Sequence, residues 1–277
     1  MRFPNNNLQD MNILIAGGCF PVQDNIKEKD MYHQIICKKM MEEYGIHLSI
    51  DILRYENIKN CLELIKNKAA CRKPDLLLFH LRVEPVLPKV KIFNIYTDQA
   101  GRIKKTIRIF SKIIFKITEE NRNSGNIASR KNMGKFHNFL RELNYFFGIL
   151  AFNCITLKKE HLCLIRAIAE YCKSMDIEPI FTGPVSRPRS YFENMLSEQM
   201  DEFTGRLVWK NNRVYIRFLG LENERNEFLF CEDLIKVNEA GHRRIAELLL
   251  RQIAQLCNSR NSFLFPLSPD QELKRNK

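Results

Sequence analysis

The residues with most chemical content lie in a few short runs. Near the C-terminus, Asp233 and Lys236 stand three apart and lead into Asn238-Glu239-Ala240-Gly241-His242. Near the N-terminus, Gly17-Gly18-Cys19 closes a short apolar run. A thiol at a strand end, close to the backbone N–H groups of the following turn, can be held as thiolate and attack a carbonyl. The competing reading is a small buried residue that fills the turn. A lysine serves as base only when burial or a cationic neighbour disfavours its charge, whereas an aspartate three residues away favours it. As an ammonium, Lys236 could support a Cys19 thiolate, bind a phosphate or carboxylate, or form a plain surface pair with Asp233. Arg82 and Glu84 read either as a structural pair or as a guanidinium that binds an anionic intermediate or an acidic substrate group. The loop Thr182-Gly183-Pro184-Val185-Ser186-Arg187-Pro188-Arg189 is a stiff turn. Its Arg187 and Arg189 could seat an anionic or sugar substrate, or cap neighbouring carbonyls. His33, His47, His80, His137 and His161 are dispersed without metal-ligand spacing and read as structural or surface residues.

The elements that must position these groups follow from periodicity. Residues 12 to 16 form an apolar strand ended by Gly17-Gly18, and an amphipathic helix runs from about Ile26 to Tyr44, where Gly45 stops it. A strand over residues 46 to 53 and a helix through Ile58, Leu62 and Ile65 repeat the unit. Residues 75 to 81 are almost continuously apolar, as suits a central parallel strand covered on both faces. Further on come a helix at 160–175, a strand at 178–182, a helix at 191–204, a strand at 214–218 and a last helix at 238–257. This alternation predicts a three-layer α/β/α fold with a parallel sheet, whose site lies at the carboxyl ends of the strands. Gly17 to Phe20, Arg82 to Pro85, Gly183 to Arg189 and the Asp233–Lys236 loop would converge there.

The run Asp233-x-x-Lys236 followed by Asn238-Glu239-Ala240-Gly241-His242 resembles the closing block of the SGNH/GDSL hydrolases, in which Asp-x-x-His precedes an Asn-Glu-x-Gly-His helix start. The resemblance covers roughly residues 12 to 85 and 160 to 250. It implies a flavodoxin-like α/β/α domain of the SGNH-hydrolase type. It puts Cys19, after Gly18, at the position of the family's serine nucleophile, and Lys236 at that of its general base, with Asp233 retained. Arg82-Val83-Glu84-Pro85 takes the place of Gly-x-Asn-Asp, so a neutral amide donor has become a carboxylate, which while ionised cannot donate to an oxyanion. Arg54-Tyr55-Glu56-Asn57 contains no glycine where the family supplies an oxyanion N–H. His242 belongs to the start of the final helix, behind the site. The activity implied is hydrolysis or transfer of an ester acyl group on a small molecule, glycan or lipid, through thiolate attack and an acyl-Cys19 intermediate. The alternative is a catalytically inactive relative that binds an anionic ligand, a partner protein or a membrane surface. No cofactor is implied.

Composition sets the frame. The chain has 277 residues, 45% of them hydrophobic, enough for one large domain with a sizeable insertion. We expect a domain over 12–257 interrupted by an insertion at 86–157, between tails at 1–11 and 258–277. The nine cysteines include no Cys-x-x-Cys pair, which favours reduced core thiols over a disulfide framework or a zinc site and suggests a cytoplasmic protein. A net charge of +12 favours phosphates, acidic glycans or anionic membranes without choosing among them, and no nucleic-acid motif is legible. In the insertion, Ile103, Ile107, Phe110, Ile114 and Ile117 alternate with Lys104, Arg108, Lys112 and Lys116. Residues 102–117 read as a basic amphipathic helix suited to an anionic membrane surface, or as a strand hairpin, since isoleucine fits a pleated surface. A second apolar helix is expected from Phe136 to Leu150.

Overall fold

The computed structural model describes residues 9–17, 26–55, 58–83, 145–146, 148–150, 155–185, 191–210, 213–220, 229–230 and 236–260. Five strands, β1 (Gln9–Gly17), β2 (Ile46–Arg54), β3 (Leu76–His80), β4 (Glu178–Thr182) and β5 (Val214–Ile216), form one parallel sheet in the order β2-β1-β3-β4-β5. Among the described residues, the helices α1 (Tyr32–Tyr44), α2 (Ile58–Cys71), α3 (Ile155–Ser174), α4 (Tyr191–Lys210) and α5 (Glu239–Arg260) connect and follow them.

The near-continuous apolar strands serve two cores because alternate residues point to opposite faces. Ile13, Ile15, Leu76, Leu78 and Ile180 face α1 and α5, where Ile36, Met40, Ile245, Leu249 and Ile253 meet them. Leu14, Ala16, Leu77, Phe79 and Phe181 face Cys61 and Ile65 of α2, Ile165, Ile168 and Cys172 of α3, and Val208 of α4. Each fully buried aliphatic side chain contributes about 1.5–3 kcal/mol of transfer free energy. A polar residue introduced at any of these strand positions therefore destabilises the sheet from one side. The flavodoxin-like strand order reverses between β1 and β3, and their carboxyl ends flank the crevice where such sheets carry their sites.

The expected elements are present with shifted ends. β1 starts at Gln9, inside the expected N-terminal tail, because it pairs with β2 along its whole length. The first helix starts at Tyr32 rather than near Ile26, since Met31 is extended (φ −72°, ψ 142°) and a 3-10 turn occupies Glu28–Asp30. Gly45 ends it in the left-handed region (φ 65°), donating back to the Met41 carbonyl, as its sequence position suggests. α4 runs through Gly205 to Lys210 instead of stopping at Thr204. There a Cβ would lie 3.1 Å from the Tyr215 ring, so this glycine serves a close helix–sheet approach and not a helix end. β5 is shorter than expected and stops at Ile216.

Residues 102–117 and most of 86–157 lie outside the described residues. Tyr145, Phe146 and residues 148–150 are helical, in keeping with the second apolar helix expected there. Tyr145 and Ile149 pack with Leu81, Val83, Leu196 and Met200, so this segment joins β3's carboxyl end to α4. Among the described residues no helix is long and apolar enough to cross a membrane.

Candidate active site

At the carboxyl ends of β1 and β3, one aromatic residue gathers the neighbouring strands. Tyr55, the residue after β2, donates its backbone N–H to the Gly17 carbonyl at 3.1 Å and its hydroxyl to the His80 carbonyl at 2.9 Å. Its ring stacks on Phe79, centroids 5.5 Å apart and planes 11° from parallel. Arg82, two residues past β3, donates from Nη1 to the Tyr55 carbonyl, and its guanidinium lies over the Tyr55 ring at 5.5 Å. β1 lies between β2 and β3, so a side chain rooted after β3 and bonded to the backbone after β2 spans the carboxyl end of β1. A permanent positive charge is thereby held beside the strand end that leads, in sequence, into Gly18-Cys19. The same charge acts on the buried Cys61 thiol, although burial dominates there and pushes that thiol up to about 12.

Next to this cation lies a buried polar network. His80, the last residue of β3, has Nε2 2.6 Å from Tyr32 Oη and Nδ1 2.6 Å from Thr182 Oγ1. A neutral imidazole has one donor and one acceptor, so one hydroxyl donates to it and the other accepts. Burial, helped by the neighbouring His33, brings His80 down to about 3, so the ring is neutral across ordinary pH. Tyr32 in turn donates its backbone N–H to His242 Nδ1 at 3.2 Å and stacks on that ring, centroids 6.0 Å apart. His242 therefore carries its proton on Nε2, and burial with His33 brings it down to about 4. These contacts tie the starts of α1 and α5 to the ends of β3 and β4.

The Asn238-Glu239-Ala240-Gly241-His242 run has a local reason. Asn238 is the N-cap of α5: its Oδ1 accepts the Gly241 N–H at 2.9 Å, and its Nδ2 donates to the Phe230 carbonyl at 3.1 Å. A Cβ on Gly241 would fall 2.2 Å from Val237 Cγ1 and 2.6 Å from the Leu229 carbonyl oxygen. The run builds a capped helix start that seats His242 under Tyr32. Lys236 precedes this cap and is exposed, so it lacks the burial that general-base lysines use.

Farther along the rim, Asp201 of α4 is buried at 2% exposure yet bonded on both oxygens. Tyr215 donates its hydroxyl to Oδ1 at 2.7 Å and Arg217 Nε lies 2.6 Å from Oδ2. Burial raises the Asp201 carboxyl, with Tyr215 and Arg217 opposing. A Cβ on Gly183 would fall 2.0 Å from Asp201 Oδ1, so the glycine after β4 is there to admit the carboxylate.

Of the residues singled out from sequence, Arg82 is brought to the β1–β3 crevice and Lys236 stands exposed at the start of α5. Gly18, Cys19, Glu84, Arg187, Arg189 and Asp233 lie outside the described residues. Arg82, read in sequence with Glu84, has its described contacts with Tyr55. His80, read as structural or surface, is structural and buried at the site's edge. Tyr32, Tyr55 and Thr182 were not singled out for this role. The available signals were a histidine ending an otherwise apolar strand and a tyrosine directly after β2.

No protein-family model matches the chain, and no curated protein matches it in sequence. Solved structures do match its fold. The acetylxylan esterase Axe2 from Geobacillus stearothermophilus superposes with a TM-score of 0.55 at 10% identity, over 88% of this chain and 94% of that one. A protein from Desulfitobacterium hafniense DCB-2, described as lipolytic and of the G-D-S-L family, gives 0.52 at 9% identity, over 87% and 98%. The psychrotrophic esterase EstA from Pseudoalteromonas sp. gives 0.50 at 10% identity, over 89% and 98%. The five-stranded parallel sheet with helices on both faces is the fold of the SGNH/GDSL esterases.

Proposed function

We propose that this chain hydrolyses, or transfers, acyl groups from esters carried by a small molecule, glycan or lipid, with Cys19 as nucleophile. The observation that carries the reading is Arg82, held across the carboxyl end of β1, the strand that leads into Gly18-Cys19. A fixed cation there favours thiolate over thiol and stabilises negative charge on a carbonyl oxygen undergoing attack. It can take over part of the work of the amide and glycine donors that the sequence lacks. Structural neighbours that are esterases support the choice of ester as substrate.

The chemistry has two halves. The Cys19 thiolate attacks the ester carbonyl carbon, a C–S bond forms, and the carbonyl π pair moves to oxygen. Collapse expels the alkoxide, which takes a proton, leaving an acyl-thioester. Water, or a second hydroxyl, then attacks that carbonyl and releases the acid or the new ester, and the thiolate is restored. Lys236, with Asp233, acts in this scheme as an ammonium that supports anionic charge and not as a base.

The second reading is a binding protein that uses the same cation for an anionic ligand. The exposure of Lys236 favours it, because the residue at the general-base position of the resembling block is solvated and not buried against a nucleophile. Short-chain aryl esters and acetylated sugars separate the two readings. Turnover by the parent that Cys19→Ala abolishes and Arg82→Gln reduces at least tenfold, about 1.4 kcal/mol, supports the enzyme. Equal rates for the parent and Cys19→Ala on every ester would move the chain to the binding reading.

A further inference from the structure

We infer that Tyr55 is a positioning residue that fixes the Arg82 charge at the end of β1; the inference rests on the Arg82–Cys19 reading above. Arginine has a long flexible stem, and holding it in one pose costs rotamer entropy. Tyr55 opposes that cost from two directions. Its carbonyl accepts from Nη1, and its ring face carries the guanidinium at 5.5 Å, a cation–π contact. The tyrosine is itself immobilised: its N–H is on the Gly17 carbonyl, its hydroxyl on the His80 carbonyl, and its ring on Phe79. At 2% exposure it is buried, while Arg82 is half-buried. One residue, through its backbone to β1 and its side chain to β3, therefore refers the position of the cation to the ends of both strands. A residue needed only for packing would not require the hydroxyl bond and the guanidinium contact together.

The test is the pH dependence of Cys19 alkylation by iodoacetamide, followed on its own peptide by mass spectrometry, in the parent, Arg82→Gln, Tyr55→Phe and Tyr55→Leu. Thermal melts of all four run alongside. Tyr55→Phe removes only the hydroxyl bond to His80 and keeps the ring face, so alkylation at pH 7 should slow by about threefold. Tyr55→Leu also removes the ring face and should slow it by about tenfold, approaching Arg82→Gln. A graded rise in the apparent thiol midpoint, in the order parent, Phe, Leu, is the expected result. If both Tyr55 variants lower Tm but keep the parent's alkylation profile while Arg82→Gln moves it, Tyr55 is merely structural and the inference is overturned. If the parent thiol titrates as an ordinary one, about 8.5, and Arg82→Gln changes nothing, the Arg82–Cys19 reading has failed and takes this inference with it. Should Tyr55→Leu not fold, Tyr55→Phe, which lacks a single oxygen, carries the test alone.

Discussion

Acidification should unfold this protein well above the carboxylate range, because three histidines are buried neutral. His80 is brought down to about 3, and His161 and His242 to about 4, each by burial first. All three are at most 4% exposed. In the unfolded chain each titrates near 6.5. Above pH 6.5 neither state binds the proton and the groups have no effect on stability. As pH falls below 6.5 the unfolded chain takes up protons that the folded chain refuses, so stability drops, and it stops dropping once the folded values of about 4 and 3 are passed. At pH 5.0 each histidine costs about 2 kcal/mol, so three together cost about 6 kcal/mol, on the scale of a typical domain's entire stability. Asp201 acts in the opposite sense: burial raises its folded value, so protonation as pH falls through that value relieves a cost. The assay is urea unfolding by circular dichroism between pH 7.5 and 5.0, in the parent and in His161→Gln. The variant should lose about 2 kcal/mol less than the parent over this interval, because its unfolded chain has one fewer proton to gain. A parent stability at pH 5.0 within about 1 kcal/mol of that at pH 7.5 would refute the reasoning.

Three further outcomes are expected. Gly241→Ala places a Cβ against Val237 and the Leu229 carbonyl, one of them backbone, and should destabilise by about 1–3 kcal/mol in urea titrations. Asn238→Ala removes the α5 N-cap and the bond to the Phe230 carbonyl, for a loss of about 1–2 kcal/mol by the same measurement. If residues 102–117 form a basic amphipathic helix on membranes, Phe110→Asp should reduce sedimentation with anionic vesicles, and unchanged sedimentation would remove that role.

The fold was legible from the apolar runs alone. Strands over residues 12–16, 75–81 and 178–182 sit where their patterns put them, because a strand buried on both faces must be apolar at nearly every position, and the alternating run over 46–53 forms the half-buried edge strand β2. Glycines were the less dependable signal. Gly45 ends a helix as a local rule predicts, whereas Gly205 continues one, because the ring of Tyr215, distant in the sheet, needs the space. Local rules govern what depends on the residue and its immediate neighbours, and close approaches depend on which element lies opposite.

The same division holds at the site. Residue types and the Asn238–His242 run indicated an SGNH-like sheet, and their spacing brought Gly18-Cys19, Arg82 and Lys236 to consideration. Which strand end Arg82 serves could not be read from Arg82-Val83-Glu84, since a guanidinium finds its partner through space. Strand order places β1 between β2 and β3, and that order alone sends the side chain across to Tyr55. Likewise, the sequence contains Tyr32, His80, Thr182 and His242 as scattered polar residues. Only the packing of α1 and α5 over β3 and β4 makes them one buried network, in which burial fixes their charge and hydrogen bonds engage both ring nitrogens of His80 and Nδ1 of His242.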